Sequence, residues 1–289
     1  MKKLILTENL ESLGKQYEIE HLSMWNKNKL ETDSWEALKF FFYHSFMRGR
    51  RDELSLEYYK FTVKVLYEFF NEIGFEKELL NAYNNNLYKT DNIRKLKKSK
   101  RNSINHKDFD IEIRQKNSLI KILTTETKII QDNQRPKNIY LQNDTDLLMV
   151  LDTLNFISQL SERHNIYMYF YNLVSTGHIK NAYNELITLS GIGDKLSTFF
   201  LRDIAIINRS NITAKQIEFV FPVDTWVAQI TTLIAEKKFS TEKPNDIKEY
   251  YINNFPNSNF PLIAAGLWYL GYNSLEYAIQ YAKESKINL

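Results

Sequence analysis

Along most of the chain apolar residues recur at three- and four-residue intervals, the spacing that lines one face of an α-helix. Leu56 to Phe70 carries aromatic and aliphatic residues at i, i+3 and i+4. Trp35 to Met47 follows Thr32-Asp33-Ser34, any of which can serve as a helix N-cap. Residues 1 to about 90 therefore read as helices. From about 91 to 138 Asn, Lys and Gln displace the apolar positions, and this stretch reads as a linker or insertion, although Leu119 to Leu123 can form a short strand or helix. Periodicity resumes where Asn143-Asp144-Thr145-Asp146 caps an apolar helix from Leu147 to Leu160. Aromatic-rich Ile166 to Val174 follows, then a helix from about Ile179 to Thr188, a Gly191-Ile192-Gly193 turn, and a helix from Asp194 to about Asn208. On that helix Leu196, Phe200, Ile204 and Ile207 form the buried face. Lys195, Phe199 and Arg202 lie close together on the other side. Pro261 to Tyr272 predicts a helix with a small-residue waist and an aromatic tip. The pattern predicts an all-α protein without internal repeats, segmented as an N-terminal helical region (1–92), a basic variable insertion or linker (93–138) and a C-terminal helical region (139–289).

Composition narrows this picture. A chain of 289 residues with 43% hydrophobic residues can bury one large core or two smaller ones. Eight glycines and five prolines are too few for a turn-rich sandwich or barrel. There is no cysteine, which rules out disulfides, thiolate zinc sites and iron–sulfur clusters, and permits a reducing compartment. Met1-Lys2-Lys3-Leu4-Ile5-Leu6 resembles a secretory n-region, but its apolar run is too short and no small-residue cleavage site follows. No segment reaches the roughly 20 apolar residues that span a bilayer, so the expected location is cytoplasmic, and nucleoid-associated if the partner is DNA.

The net charge of +3 is too small to imply a nucleic-acid partner by itself. Local clusters change that. Arg94 to Arg101 holds six cations in eight residues, and Arg48, Arg50 and Arg51 add three more. Such clusters suit phosphate contacts, while a solvated surface run explains the first cluster equally well.

The densest candidate chemistry lies between Leu189 and Trp226. Two glycines flanking Ile192 allow backbone conformations closed to other residues, with Ile192 anchoring the turn. The turn opens directly into a helix, so the N–H groups of Gly191, Gly193 and Lys195 can converge on one phosphate. Such contacts hold a nucleic acid without reading its sequence. Gly-Ile-Gly alone fits a plain helix–helix turn equally well. Lys195 stands in the first helical turn, where the positive end of the dipole disfavours an ammonium and favours a nucleophilic amine. Asp224, after Pro222 and Val223, is placed to cap the next helix, a role compatible with catalysis.

These residues carry a resemblance. Leu189, Gly191, Ile192, Gly193 and Lys195, an amphipathic helix, and then Pro222, Val223 and Asp224 resemble the signature of the helix-hairpin-helix DNA glycosylase superfamily, which includes endonuclease III and the 8-oxoguanine glycosylases. The likeness covers about 45 residues. It implies two helical lobes with a helix-hairpin-helix core, double-stranded DNA containing a damaged base bound in the cleft between them, and a monomeric enzyme of base excision repair. It further implies that Lys195 is the Schiff-base nucleophile of a bifunctional glycosylase and AP lyase, with Asp224 as the catalytic acid. Gly191, Gly193, Arg48, Arg50 and Arg51 would meet the DNA backbone. Phe199, Arg202, Trp226, Trp268 and Tyr272 are the candidates for the base pocket, with core packing an even alternative for Trp268 and Tyr272. Phe46 is a candidate wedge, with core packing preferred. No catalytic metal or cofactor is implied; a structural monovalent cation held by hairpin carbonyls is common in the family.

Departures from the family pattern refine the expectation. Lacking cysteine, the chain cannot hold the iron–sulfur cluster of many endonuclease III relatives, which points to an oxidised-purine enzyme, 8-oxoguanine first. The gap between Lys195 and Asp224 is longer than in most members, as it is in the archaeal 8-oxoguanine glycosylases. Trp226 stands where many relatives have histidine. Two alternatives stay open: a glycosylase for another modified base, and a non-catalytic helix-hairpin-helix DNA-binding module.

Overall fold

Each predicted helix that falls in the described part of the chain forms. The computed structural model describes residues 2–48, 52–71, 119, 123, 128–132, 135–141, 144–160 and 164–284. In chain order its elements are α1 (Lys2–Tyr17), a π-helical turn (Glu18–Leu22), α2 (Lys27–Thr32), α3 (Ser34–Phe46) and α4 (Asp52–Asn71). After strands β1 (Lys128–Asp132) and β2 (Arg135–Ile139) come α5 (Asp144–Ser158), α6 (Ile166–Ser175), α7 (Ile179–Leu186) and α8 (Asp194–Ile207). A 3-10 helix (Ala214–Phe219), α9 (Thr225–Ala235), α10 (Pro244–Asn254) and α11 (Phe260–Glu284) complete the described elements. Of the three possible N-caps before α3, Asp33 is used: its side chain accepts the N–H groups of Trp35 and Glu36 at 2.8 and 3.2 Å. Helix α5 starts earlier than its apolar run, so Asp146 lies inside the first turn.

The protein is mainly α-helical, with one exception to the all-α expectation among the described residues. Strands β1 and β2 pair antiparallel, with Ile130 opposite Lys137 and Asp132 opposite Arg135. The run of Asn, Lys and Gln favoured a linker reading; in a two-stranded ribbon each strand is an edge, where even Pro136 is tolerated. Leu119 and Leu123, four residues apart, are helical and fully buried. Most of the expected 93–138 insertion lies outside the described residues.

The chain divides into two compact units that are not consecutive stretches. One comprises Met1–Lys27, Phe170–Asn184 and Gly193–Leu289; the other comprises Asn28–Tyr169 and Glu185–Ile192. In the first, α1 and α11 lie backbone to backbone: a Cβ on Gly14 would fall 2.1 Å from the Leu262 carbonyl oxygen, and one on Gly266 would fall 2.0 Å from that of Leu10. The small-residue waist of α11 is therefore what admits α1. Ile230, Ile247, Tyr251, Phe255 and Leu267 extend this core. The second unit buries Phe40, Phe41, Phe42 and Phe46 of α3 together with Leu66, Leu151, Leu154 and Tyr167. Phe46, the candidate wedge, is wholly buried there, in line with the core reading preferred for it.

Candidate active site

Lys195 and Asp224 come together from two helix starts. Gly193 is the N-cap of α8 in extended conformation (φ −110°), and Lys195 follows in the first turn with its side chain half exposed. Asp224 is the N-cap of α9: its Oδ1 accepts the Val227 N–H at 3.0 Å. Its Oδ2 lies 3.6 Å from Lys195 Nζ, and the carboxylate is mostly buried. One oxygen therefore fixes the helix start while the other faces the amine. The long connection between them is occupied in part by the 3-10 helix, which Thr213 and Gln216 cap reciprocally. Phe221, fully buried, then anchors the Pro222-Val223 approach to Asp224. A carboxylate beside an amine can take up a proton from an ammonium and can stabilise positive charge developing on a bound sugar.

Four of the five candidate pocket residues, Phe199, Arg202, Trp268 and Tyr272, belong to one chain of ring and cation–π contacts in the same unit. Phe199 lies 4.5 Å from the Arg202 guanidinium, which lies 4.6 Å from the Tyr17 ring. Tyr17 stacks on His21 at 5.0 Å, and His21 meets Trp268 edge-on at 5.4 Å. Trp268 and Tyr272 stack at 4.8 Å with 12° between their planes, and Tyr272 is 40% exposed. Trp226 is placed against Gly271, where a Cβ would fall 2.6 Å from the Trp226 Cβ. The structure thus joins Phe199, Trp268 and Tyr272 through Tyr17 and His21, two residues for which the sequence offered no motif. His21 belongs to the π-helical turn, a distortion often found at functional sites.

Arg202 departs from expectation. It is fully buried, not presented to a base or a phosphate. Its Nε donates to Asp203 Oδ1 at 2.7 Å and its Nη2 to the Tyr17 hydroxyl at 2.7 Å. The Tyr17 hydroxyl in turn donates to Asp203 Oδ2 at 2.7 Å, closing a ring of three side chains. Burial alone would lower the Arg202 pKa; Asp203, Tyr17 and Asp224 outweigh it and hold the pKa above the ordinary arginine value. Helix α8 is buried on nearly every side, with Ser197 and Thr198 inside as well as Leu196 and Phe200. That is why a two-faced reading put Arg202 outside and made Ile207, only half-buried, a core residue.

Two glycines of the hairpin behave differently. Gly191 adopts φ +75°, the left-handed region that favours glycine. Gly193 does not: its φ of −110° is open to any residue, and a Cβ there would meet nothing within 4 Å. Leu189 and Ile192 are buried, and the Ile192 N–H is donated to the Leu189 carbonyl at 3.1 Å. Arg48 is only 16% exposed and lies 3.5 Å from Asp146 Oδ1. Arg50 and Arg51 lie outside the described residues. Among the described residues no group of three or more His, Asp or Glu side chains is arranged to hold a metal ion. No helix among them is long and apolar enough to cross a membrane.

Comparison with known proteins adds little to this geometry. No protein-family profile matches the chain, and no solved structure matches it. It is similar to an uncharacterized protein of Methanocaldococcus jannaschii, 32% identical over 97 residues. The match takes in 33% of this chain and 22% of the relative, so the chain matches about a fifth of that relative's length.

Proposed function

We propose that the protein is a DNA glycosylase with AP lyase activity that removes an oxidised purine, 8-oxoguanine first, in base excision repair. The observation that carries this reading is the 3.6 Å approach of Lys195 Nζ to Asp224 Oδ2 at the end of a glycine hairpin. Phosphate binding alone needs neither a lysine nor a carboxylate there, which disfavours a purely DNA-binding module. The reading also draws support from Trp268 stacked on half-exposed Tyr272, since a nucleotide taken out of the duplex needs flat surfaces to rest on.

In the proposed course, the duplex backbone docks on the hairpin N–H groups and the damaged nucleotide is extruded. The neutral Lys195 amine attacks C1′ of the sugar as the bond from C1′ to the base breaks, and the base leaves with the bonding electron pair. Asp224, ionised, stabilises the positive charge that builds on the sugar and then takes the proton released by the new C1′–N bond. Asp224 passes that proton to the ring oxygen O4′ as the C1′–O4′ bond breaks, which gives an iminium between Lys195 and the opened sugar. The departed base, which left as an anion, takes up a C2′ proton; the resulting enamine expels the 3′ phosphate by β-elimination, and water hydrolyses the imine to release the enzyme. Within this reading the protein acts as a monomer in the cytoplasm, on nucleoid DNA.

Borohydride reduction in the presence of duplexes carrying 8-oxoguanine, another modified base or an abasic site tests the proposal. A covalent protein–DNA adduct that depends on Lys195 is expected, and the lesion that gives it identifies the substrate. Trapping only on a different base would make the enzyme a glycosylase of another specificity. Binding without any adduct would leave the non-catalytic module.

A further inference from the structure

The Ser190–Gly191 step is held from two directions by ionic side chains, although its own residues are small and neutral. Asp152 of α5, only 7% exposed, accepts the Ser190 backbone N–H at 2.9 Å and also the Ser190 hydroxyl. Arg48, just beyond α3, lies across Gly191: a Cβ there would sit 2.8 and 2.9 Å from the two terminal guanidinium nitrogens and 3.0 Å from Thr145 Cγ2. The guanidinium is itself fixed. Its Nε donates to the Ser45 carbonyl at 3.1 Å, and its Nη1 is 3.5 Å from Asp146 Oδ1, on a carboxylate that is 1% exposed. Gly191 is thus required twice, by its φ of +75° and by the guanidinium lying over it.

We infer that Asp152 and the Arg48–Asp146 pair brace the Ser190–Gly191 backbone in the shape that receives a DNA phosphate, so that Arg48 is a positioning residue and not itself a phosphate ligand. A flexible turn would lose affinity to the cost of ordering its N–H groups at the moment of binding. A turn already fixed in the free protein avoids that cost. Asp146 offsets the charge of Arg48, and the low exposure of both leaves the guanidinium turned to the protein. The two carboxylates act on separate atoms of the turn, one directly and one through Arg48, so each can be removed without the other.

The inference rests on the DNA-binding reading, and one titration separates the two. Binding of the full chain to a duplex bearing a tetrahydrofuran abasic-site analogue is measured by fluorescence anisotropy over a range of salt. The proteins compared are the parent, Arg48→Met, Asp146→Asn, Asp152→Asn and Ser190→Ala, with thermal melting recorded for each. Arg48→Met, Asp146→Asn and Asp152→Asn are expected to weaken binding about tenfold, the worth of one charge-assisted contact. Ser190→Ala, the mildest change, weakens it less. The salt slope stays at the parent value throughout, because no phosphate-bound cation has been lost. A slope smaller by about one in Arg48→Met, with tighter binding in Asp146→Asn, would make Arg48 a direct phosphate ligand and overturn the brace. Parent affinity in every variant would overturn it too while leaving the DNA reading intact. Failure of the parent itself to bind would remove both.

Discussion

Asp224 assigns its two carboxylate oxygens to different tasks, and that division can be separated by substitution. Asparagine caps a helix about as well as aspartate but carries no charge. Asp224→Asn is therefore expected to keep the parent melting temperature while lowering the trapping rate on the order of 100-fold, the scale of one preorganised electrostatic contact. Asp224→Ala should show the same catalytic loss plus about 1 kcal/mol of stability from the missing cap; equal activity in Asn and parent proteins would reduce Asp224 to a cap. Arg202 makes the opposite case, a charge with a structural part. Arg202→Met leaves Asp203 buried without its guanidinium and should cost roughly 3–5 kcal/mol in denaturant unfolding. A loss near zero would mean that the ring of Arg202, Asp203 and Tyr17 rearranges at little cost. The helix starts that carry Lys195 and Asp224 were legible in the sequence, because a glycine turn and an aspartate cap each set a fixed local frame. Tyr17, His21 and Asp203 were not, because they join the site only through long-range contacts between α1, the π-helical turn, α8 and α11.

Helix limits were legible wherever a side chain sets them, as Asp33 does for α3 and Asp224 for α9. The partner of a helix face was less so. The small-residue waist of α11 was legible, but nothing in the local pattern identified α1 as the helix packed against it. Because both glycines face carbonyl oxygens of the opposing backbone, no side chain can rotate away to accommodate a methyl group. Gly14→Ala and Gly266→Ala should each cost roughly 1–3 kcal/mol by overpacking, read as a fall in melting temperature. The Gly193→Ala substitution makes the contrast: its φ of −110° and open surroundings predict a parent-like melting temperature. The proposal adds that Gly193→Ala weakens duplex binding, since a methyl group would occupy the space through which a phosphate approaches. The strand ribbon escaped the pattern for a different reason: strand alternation is weak in a polar five-residue segment, and pairing supplies what the segment lacks.

At the scale of the molecule, the chain's two units draw on interleaved segments, an arrangement that segment-by-segment composition does not encode. Aromatic residues recur in both, and several tyrosines are coupled to the fold through their hydroxyl groups. Tyr169 and Tyr183 have their pKa pushed up to about 12 from the ordinary 10.0, first by burial and then by donating to Glu185 and Asp194. A raised folded-state pKa means that the neutral phenol is favoured by folding. The associated stability is complete below pH 10, and it is lost as the pH rises through about 12. Ultraviolet titration should therefore show part of the tyrosine signal ionising above the range seen in denaturant, together with loss of helical dichroism. A titration matching the denatured protein would contradict those hydrogen bonds.

The proposed chemistry joins one lysine, Lys195, to a sugar carbon. Its most direct measurement is peptide mapping by mass spectrometry of the protein after borohydride trapping on an 8-oxoguanine or abasic-site duplex. The expected result is a reduced sugar adduct on the peptide containing Lys195, absent from Lys195→Ala and much reduced in Asp224→Asn. An adduct on another lysine that survives Lys195→Ala, or no adduct on a duplex that the protein demonstrably binds, would contradict it.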